Sequence, residues 1–146
     1  MSAKSLPVIR ELVRCYQAFE AVGGAHIRTM GLTPPQFDII ATLGNTPGMR
    51  FKELGEKTLV TKGTLTGIVD RLTEKGFVRR VASPTDGRSQ IVQLTPAGEA
   101  LFAEVFPAQL NHMDEVLGGV DVERMAALQR ELHYLRKILE EKGRAP

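Results

Sequence analysis

Basic, hydroxyl and glycine residues are concentrated in the middle of the chain, between positions 61 and 88. Lysine and arginine bind phosphate oxygens, threonine hydroxyls hydrogen-bond to phosphates or base edges, and glycine lets a helix lie close to another surface. This chemistry suits a polyanion such as nucleic acid. The candidate contact residues are Thr61, Lys62, Gly63, Thr64, Thr66, Gly67, Arg71, Arg79 and Arg88.

A helix is predicted to carry the residues of this set that lie between 61 and 71. Its inward face, at the 3–4 spacing of one helical side, would consist of Leu65, Ile68, Val69 and Leu72. Thr61 can cap the start of the helix and Gly76 its end. The opposite face is small or hydroxylated, which would let it enter a DNA major groove about 12 Å wide. Any amphipathic surface helix also has a polar face, so this pattern alone does not distinguish a DNA-binding helix from an ordinary surface helix.

A β-hairpin is predicted after this helix and favours the nucleic-acid interpretation. Strand-like stretches at 77–81 and 89–94 enclose the turn-forming residues 83–88. Arg88 would lie at the hairpin tip, and Arg79 and Arg80 would flank the wing on its first strand, where they could bind the DNA backbone. An extended guanidinium at such a tip can enter a DNA minor groove about 6 Å wide. The alternative is a solvated turn charge, but charges that a scaffold presents on a loop tend to be functional.

Helical periodicity dominates the remaining chain. Helices are predicted at 6–22, where Gly23-Gly24 would weaken or end the first, and at 51–58. A capping signal at 33–36 starts another helix. Two more are predicted at 96–117 and after residue 121. The predicted fold is therefore mainly α: one domain over 1–146, with a winged helix-turn-helix and two-stranded β-wing at about 33–95, flanked by helices at about 5–24 and 96–143.

Composition and charge place the chain among soluble globular proteins. The net charge is +2, yet residues 50–94 hold nine basic and five acidic side chains, which is a modest footprint for a polyanion. Cys15 is the only cysteine, so no internal disulfide can form, as is typical of a reducing compartment. Without a signal peptide or an apolar run of about 20 residues, a cytoplasmic protein with no membrane association is expected. No metal-spaced cluster or nucleophile motif supports an enzyme or a cofactor.

Three short motifs carry a resemblance to a known family. They are Asp70-Arg71-Leu72-x-x-Lys75-Gly76-Phe77-Val78-x-Arg80, Asp86-Gly87-Arg88 and Val92-x-Leu94-Thr95-x-x-Gly98. Together with the order of the predicted elements, they resemble the MarR family of bacterial transcription regulators over nearly the whole length. The resemblance implies a homodimer whose end helices interlock, and a ligand-responsive repressor that binds a palindromic operator in double-stranded DNA.

The same resemblance implies roles for further residues. Asp70 and Asp86 would orient the wing, Asp70 through an ion pair with Arg88. A small aromatic effector would bind between the end helices and the winged part, in a pocket lined by Tyr16, Phe19, His26, Phe37 and His112. Apolar stripes at helical spacing are normally packing, so each of these residues has an ordinary interpretation as core or surface.

Two other functions remain open at this level. One branch of the family senses organic hydroperoxides through a cysteine in its first helix, so Cys15 could make the protein a redox-sensing regulator. An inert cysteine is the simpler interpretation, since the adjacent Arg14 cannot face it on a helix. A winged helix can also be a protein-interaction module that binds no DNA, but the basic wing argues against this.

Overall fold

The computed structural model describes residues 3–59 and 62–144 and has the predicted mainly α, winged helix-turn-helix class. Its elements are α1 (Leu6–Thr29), α2 (Pro34–Leu43), β1 (Met49–Arg50), α3 (Phe51–Lys57), α4 (Lys62–Glu74), β2 (Val78–Ala82), β3 (Gln90–Leu94), α5 (Pro96–Val116) and α6 (Val122–Gly143). The chain divides into two compact units, Met1–His112 and Met113–Pro146.

The first helix is longer than predicted, because α1 continues through Gly23-Gly24 to Thr29. Both glycines are buried. A side chain at Gly24 would bring its Cβ within 3.4 Å of Cγ of Pro34, at the start of α2. The carbonyl of Gly23 accepts a 3.3 Å hydrogen bond from Nε2 of Gln109 in α5. Packing against α2 and α5 therefore overrides a helix-propensity cost of about 1 kcal/mol per glycine.

The core of the first unit lies where α2, α3 and α4 meet the sheet. The predicted capping box starts α2: the Thr33 hydroxyl accepts from the Gln36 amide, and the Gln36 side chain accepts from the Thr33 amide. The largest fully buried side chains are Ile39, Ile40, Leu43, Leu54, Leu65, Val69, Leu72, Val78 and Val92. These residues fix α4 by its apolar face, as its 3–4 spacing predicts.

The sheet has three strands in the order β1-β3-β2, one more than the predicted two-stranded wing. The added strand contains only Met49 and Arg50, which pair with Val92 and Ile91 of β3. Two residues are too few to show strand alternation in a sequence, so only their pairing with β3 reveals the strand. Gly76 ends α4 with a φ of +82°, the left-handed cap expected there.

The second unit is built on α6. Its start is capped as expected, since the Arg124 amide donates a 2.7 Å hydrogen bond to Oδ1 of Asp121. None of the α6 residues is buried in the part of the chain described, although several are large and apolar. Across residues 3–59 and 62–144, no helix has both the length and the apolar content that crossing a membrane requires.

Candidate nucleic-acid interface

The outer face of α4 is small and polar along its described length. Thr64, Thr66, Gly67 and Arg71 are exposed, and a Cβ at Gly67 would meet nothing within 4 Å. This face therefore carries hydroxyls and one guanidinium and, among its described residues, has no exposed aromatic or large apolar side chain, which suits a helix lying against base edges.

Three predicted contact residues at the start of this helix are not fully described. Thr61 lies outside the described residues. Lys62 and Gly63 are placed only as backbone at the start of α4. The expected contacts of these three residues therefore stay predictions.

The wing tip is held by short hydrogen bonds around Asp86. Its carboxylate accepts from the Arg88 amide at 3.0 Å and from the Ser89 hydroxyl at 2.9 Å. These two bonds, with a smaller contribution from the charge of Arg50, lower the pKa of Asp86. The buried Ser83 hydroxyl accepts from the amides of Thr85 and Asp86. The turn is therefore ordered, and it presents the exposed Arg88.

Arg79 lies on the outer side of the sheet, where β2 pairs with β3. Its Nε donates a 2.6 Å hydrogen bond to Oε1 of Gln93, and Nε2 of Gln93 donates to the Pro47 carbonyl at 3.3 Å. Its side chain remains exposed. The guanidinium is thus braced against the sheet, with nitrogens left to bind a phosphate.

The predicted ion pair between Asp70 and Arg88 is wrong, because Asp70 pairs with Arg80 instead. Nη2 of Arg80 lies 2.7 Å from Oδ1 of Asp70. Side chains alternate between the two faces of a strand, and Arg80 shares the inward face with the buried Val78. Arg80 therefore points toward α4, whereas Arg88 lies in the turn between β2 and β3. Asp70 therefore contacts strand β2 of the wing and not the tip of the wing.

Two further arginines, Arg80 and Arg50, support this surface through contacts within the protein. Arg80 joins β2 to α4, and Arg50 of β1 places Nη2 3.5 Å from the Thr85 hydroxyl in the wing turn. Alternation from Val78 could have assigned Arg80 to the inward face. Arg50 carried no such signal, because its position beside the wing depends on the two-residue strand β1.

Of the five predicted effector-pocket residues, the described contacts join two. The rings of His26 and His112 stack with their centroids 4.1 Å apart and their planes within 5°. Nδ1 of His26 lies 2.7 Å from Oε1 of the buried Gln109. Because Gln109 donates its Nε2 to the Gly23 carbonyl, its Oε1 faces His26, so Nδ1 of His26 carries a proton.

None of the described contacts joins the other three residues to this stack. Phe37 is partly buried and packs on the core. Tyr16 and Phe19 are exposed on α1. The Tyr16 hydroxyl donates a 2.7 Å hydrogen bond to Glu20, and this bond raises the pKa of Tyr16. Cys15 is also exposed on α1. Exposure alone does not test a redox role, so that role stays a prediction.

These features define a class of protein. A winged helix-turn-helix whose second helix has a small polar outer face beside a basic wing is a DNA-binding module. The sequence profile of the MarR family matches residues 30–89 of this chain.

Known proteins extend the match beyond those residues. The chain is 31% identical over 125 residues to HTH-type transcriptional regulator MhqR of Bacillus subtilis (strain 168), covering 86% of each. It is 34% identical over 108 residues to transcriptional regulator HosA of Escherichia coli O111:H-, covering 74% of this chain and 78% of HosA. The solved structure of Bordetella bronchiseptica BpsR, 25% identical, has a TM-score of 0.80 and covers 100% of this chain and 99% of BpsR. The chain therefore belongs to the MarR family of DNA-binding transcriptional regulators.

Proposed function

We propose that this regulator is a ligand-responsive repressor that acts as a homodimer on a palindromic DNA operator. The observation that carries the proposal is the arrangement of α4. Its apolar face is fixed in the core by Leu65, Val69 and Leu72, so its small polar face is held outward next to the wing. In this arrangement α4 enters the major groove and Arg88 enters the adjacent minor groove.

The two ends of the chain supply the argument for a dimer. α1 and α6 each expose an apolar stripe that water would not favour on a monomer. On α1 its members are Leu6, Ile9, Leu12, Val13, Tyr16 and Phe19, and on α6 they are Met125, Leu128, Leu132, Ile138 and Leu139. A second copy would cover both stripes. A two-fold dimer then presents two α4 helices about 34 Å apart, one turn of DNA, which gives the operator its palindromic form.

The stacked histidines support a ligand-responsive form of the repressor. His26 and His112 link α1 to α5 through a flat aromatic stack to which an aromatic effector with an acidic group could bind. The relative BpsR is described as having its DNA binding regulated by 6-hydroxynicotinic acid. An effector of this kind would alter the α1–α5 contact and thereby the operator affinity.

Binding to duplex DNA at varied salt concentration tests the proposed function. Fluorescence anisotropy with a labelled random-sequence duplex should give a dissociation constant of about 10⁻⁴–10⁻⁶ M at physiological salt, and tighter binding as salt is lowered. Single-stranded DNA of the same length is the control. A protein that binds no duplex even at low ionic strength would refute the proposal.

A further inference from the structure

The turn between α3 and α4 is held by a carboxylate that lies on a different helix, α2. Oδ2 of Asp38 accepts a hydrogen bond from the backbone amide of Leu59 at a distance of 2.6 Å, across 21 residues of sequence. The carboxylate is half-buried, whereas the Leu59 side chain is 87% exposed. The turn is thus fixed through its backbone and not through burial of its apolar side chain.

The position of this bond gives it a consequence for α4. Leu59 follows α3 by two residues, and α4 begins three residues further on, at Lys62. α2 itself is anchored by the fully buried Ile39 and Ile40, the two residues that directly follow Asp38. A charge-assisted hydrogen bond from this anchored helix therefore fixes where the chain enters α4.

We propose that Asp38 is a positioning residue for DNA recognition: it sets the start of α4 relative to α2 without touching DNA. This inference rests on the proposed function of α4 in the major groove. Arg80 and Asp70 brace the second half of α4 against the wing, whereas the Asp38 bond holds the chain three residues before the helix begins.

The sign of the effect distinguishes positioning from simple electrostatics. Asp38 adds a negative charge to a surface that meets phosphates, so electrostatics alone predicts tighter DNA binding when this charge is removed. Positioning predicts the reverse for Asp38→Ala. Asp38→Asn keeps an acceptor oxygen without the charge, so it should preserve most of the operator affinity.

The first measurement concerns the bond itself and needs no DNA. Amide hydrogen exchange at Leu59 should be slowed in the wild-type protein, faster in Asp38→Ala and intermediate in Asp38→Asn. Exchange at the core amides of α2 and α4 should stay slow in all three proteins, which shows that each variant is folded. Unchanged exchange at Leu59 in Asp38→Ala would overturn the inference.

The second measurement compares operator binding among the same proteins. The probe is a duplex that the wild-type protein has selected from a random pool, with a shuffled duplex of equal length beside it. Asp38→Ala should bind the selected duplex about tenfold more weakly, which is the size of effect that loss of charge-assisted hydrogen bonding gives, while its binding to the shuffled duplex is unchanged or tighter. The matched control is Glu53→Ala, which removes an exposed α3 acid that pairs only with Lys57 among the described residues.

The two measurements separate failure of the inference from failure of the proposed function. Wild-type affinity for the selected duplex in Asp38→Ala, or an equal loss in Glu53→Ala, would overturn the positioning role. A wild-type protein that selects no duplex would overturn the proposed function instead, while the exchange at Leu59 would still report whether the bond holds the turn.

Discussion

Arg80 of β2 reaches Asp70 of α4, with Nη2 of the guanidinium 2.7 Å from Oδ1 of the carboxylate. The same guanidinium lies over the ring of Phe51, the first residue of α3, with its central carbon 5.6 Å from the ring centroid. Its Nε is buried and has no hydrogen-bond partner among the described residues. One side chain thus joins the wing strand to both helices of the helix-turn-helix, so the position of the wing depends on that of α4.

Removing this contact should weaken DNA binding by about the most that an exposed ion pair contributes. Exposed pairs contribute about 0–1 kcal/mol, and Arg80 and Asp70 are 29% and 54% exposed. We expect a double-mutant cycle of Arg80→Ala and Asp70→Ala to give a coupling free energy for DNA binding of about 1 kcal/mol, because orientation adds to the direct attraction. Titrations of the selected duplex with the four proteins measure it.

The control for this cycle is the exposed pair of Lys57 and Glu53, one helical turn apart on α3. This pair should show a coupling free energy of at most about 0.5 kcal/mol for the stability of α3. It should show no coupling for DNA binding. An equal coupling in both cycles would mean that Arg80 does not orient the wing.

Arg88→Ala should lower the affinity for duplexes of every sequence. Arg88 is exposed at the wing tip, and its backbone is fixed by Asp86. Loss of one phosphate contact reduces the slope of log affinity against log salt by about one. Anisotropy titrations at several salt concentrations measure the slope, with Lys142→Ala on α6 as a charge-matched control. An unchanged slope in Arg88→Ala would remove this residue from the interface.

Two glycines should respond to alanine with opposite effects on stability. A Cβ at Gly98 would collide with the backbone carbonyl of Phe77, which cannot rotate away, so Gly98→Ala should lower the free energy of unfolding by about 1–3 kcal/mol. A Cβ at Gly67 would meet nothing within 4 Å inside α4, so Gly67→Ala should raise it by about 0.5–1 kcal/mol. Urea denaturation measures both changes.

Gly67→Ala has a second expected effect that stability does not explain. If the outer face of α4 lies close to the bases, the added methyl group should weaken binding to the selected duplex even though the protein is more stable. Equal or tighter binding by this more stable variant would place Gly67 away from the DNA.

Charge on the apolar stripe of α6 should separate the dimer. Leu132 is exposed in a single chain, so Leu132→Glu should leave each copy folded while it prevents burial of the stripe against a partner. Sedimentation should give a mass about twice 16.0 kDa for the wild-type protein and 16.0 kDa for the variant. Leu59→Glu, an exposed position outside both stripes, should remain dimeric. A wild-type species of 16.0 kDa at micromolar concentration would contradict the dimer.

The features that sequence analysis predicted correctly are those with a local physical cause. The apolar spacing of α4, the Thr33–Gln36 capping box and the left-handed cap at Gly76 all depend on residues within one or two helical turns. Their chemistry can therefore be read without knowing what the rest of the chain does.

The errors concern features that distant contacts decide. The helix α1 continues through Gly23-Gly24 because α2 and α5 pack on those glycines, and β1 exists because β3 pairs with it. The partner of Asp70 is set by which face of β2 meets α4. Strand alternation from Val78 places Arg80 on that face, whereas the position of Arg88 at the hairpin tip carries no information about α4.

Selection of bound duplexes from a random pool tests the central claim most directly, because the sequence that is recovered records both the contacts and the symmetry. A homodimer with α4 in the major groove should enrich two inverted half-sites whose centres lie about 10 base pairs apart, one DNA turn. Arg88→Ala should recover the same half-sites at lower affinity. Enrichment of no sequence, or of a single site without inverted symmetry, would contradict the account.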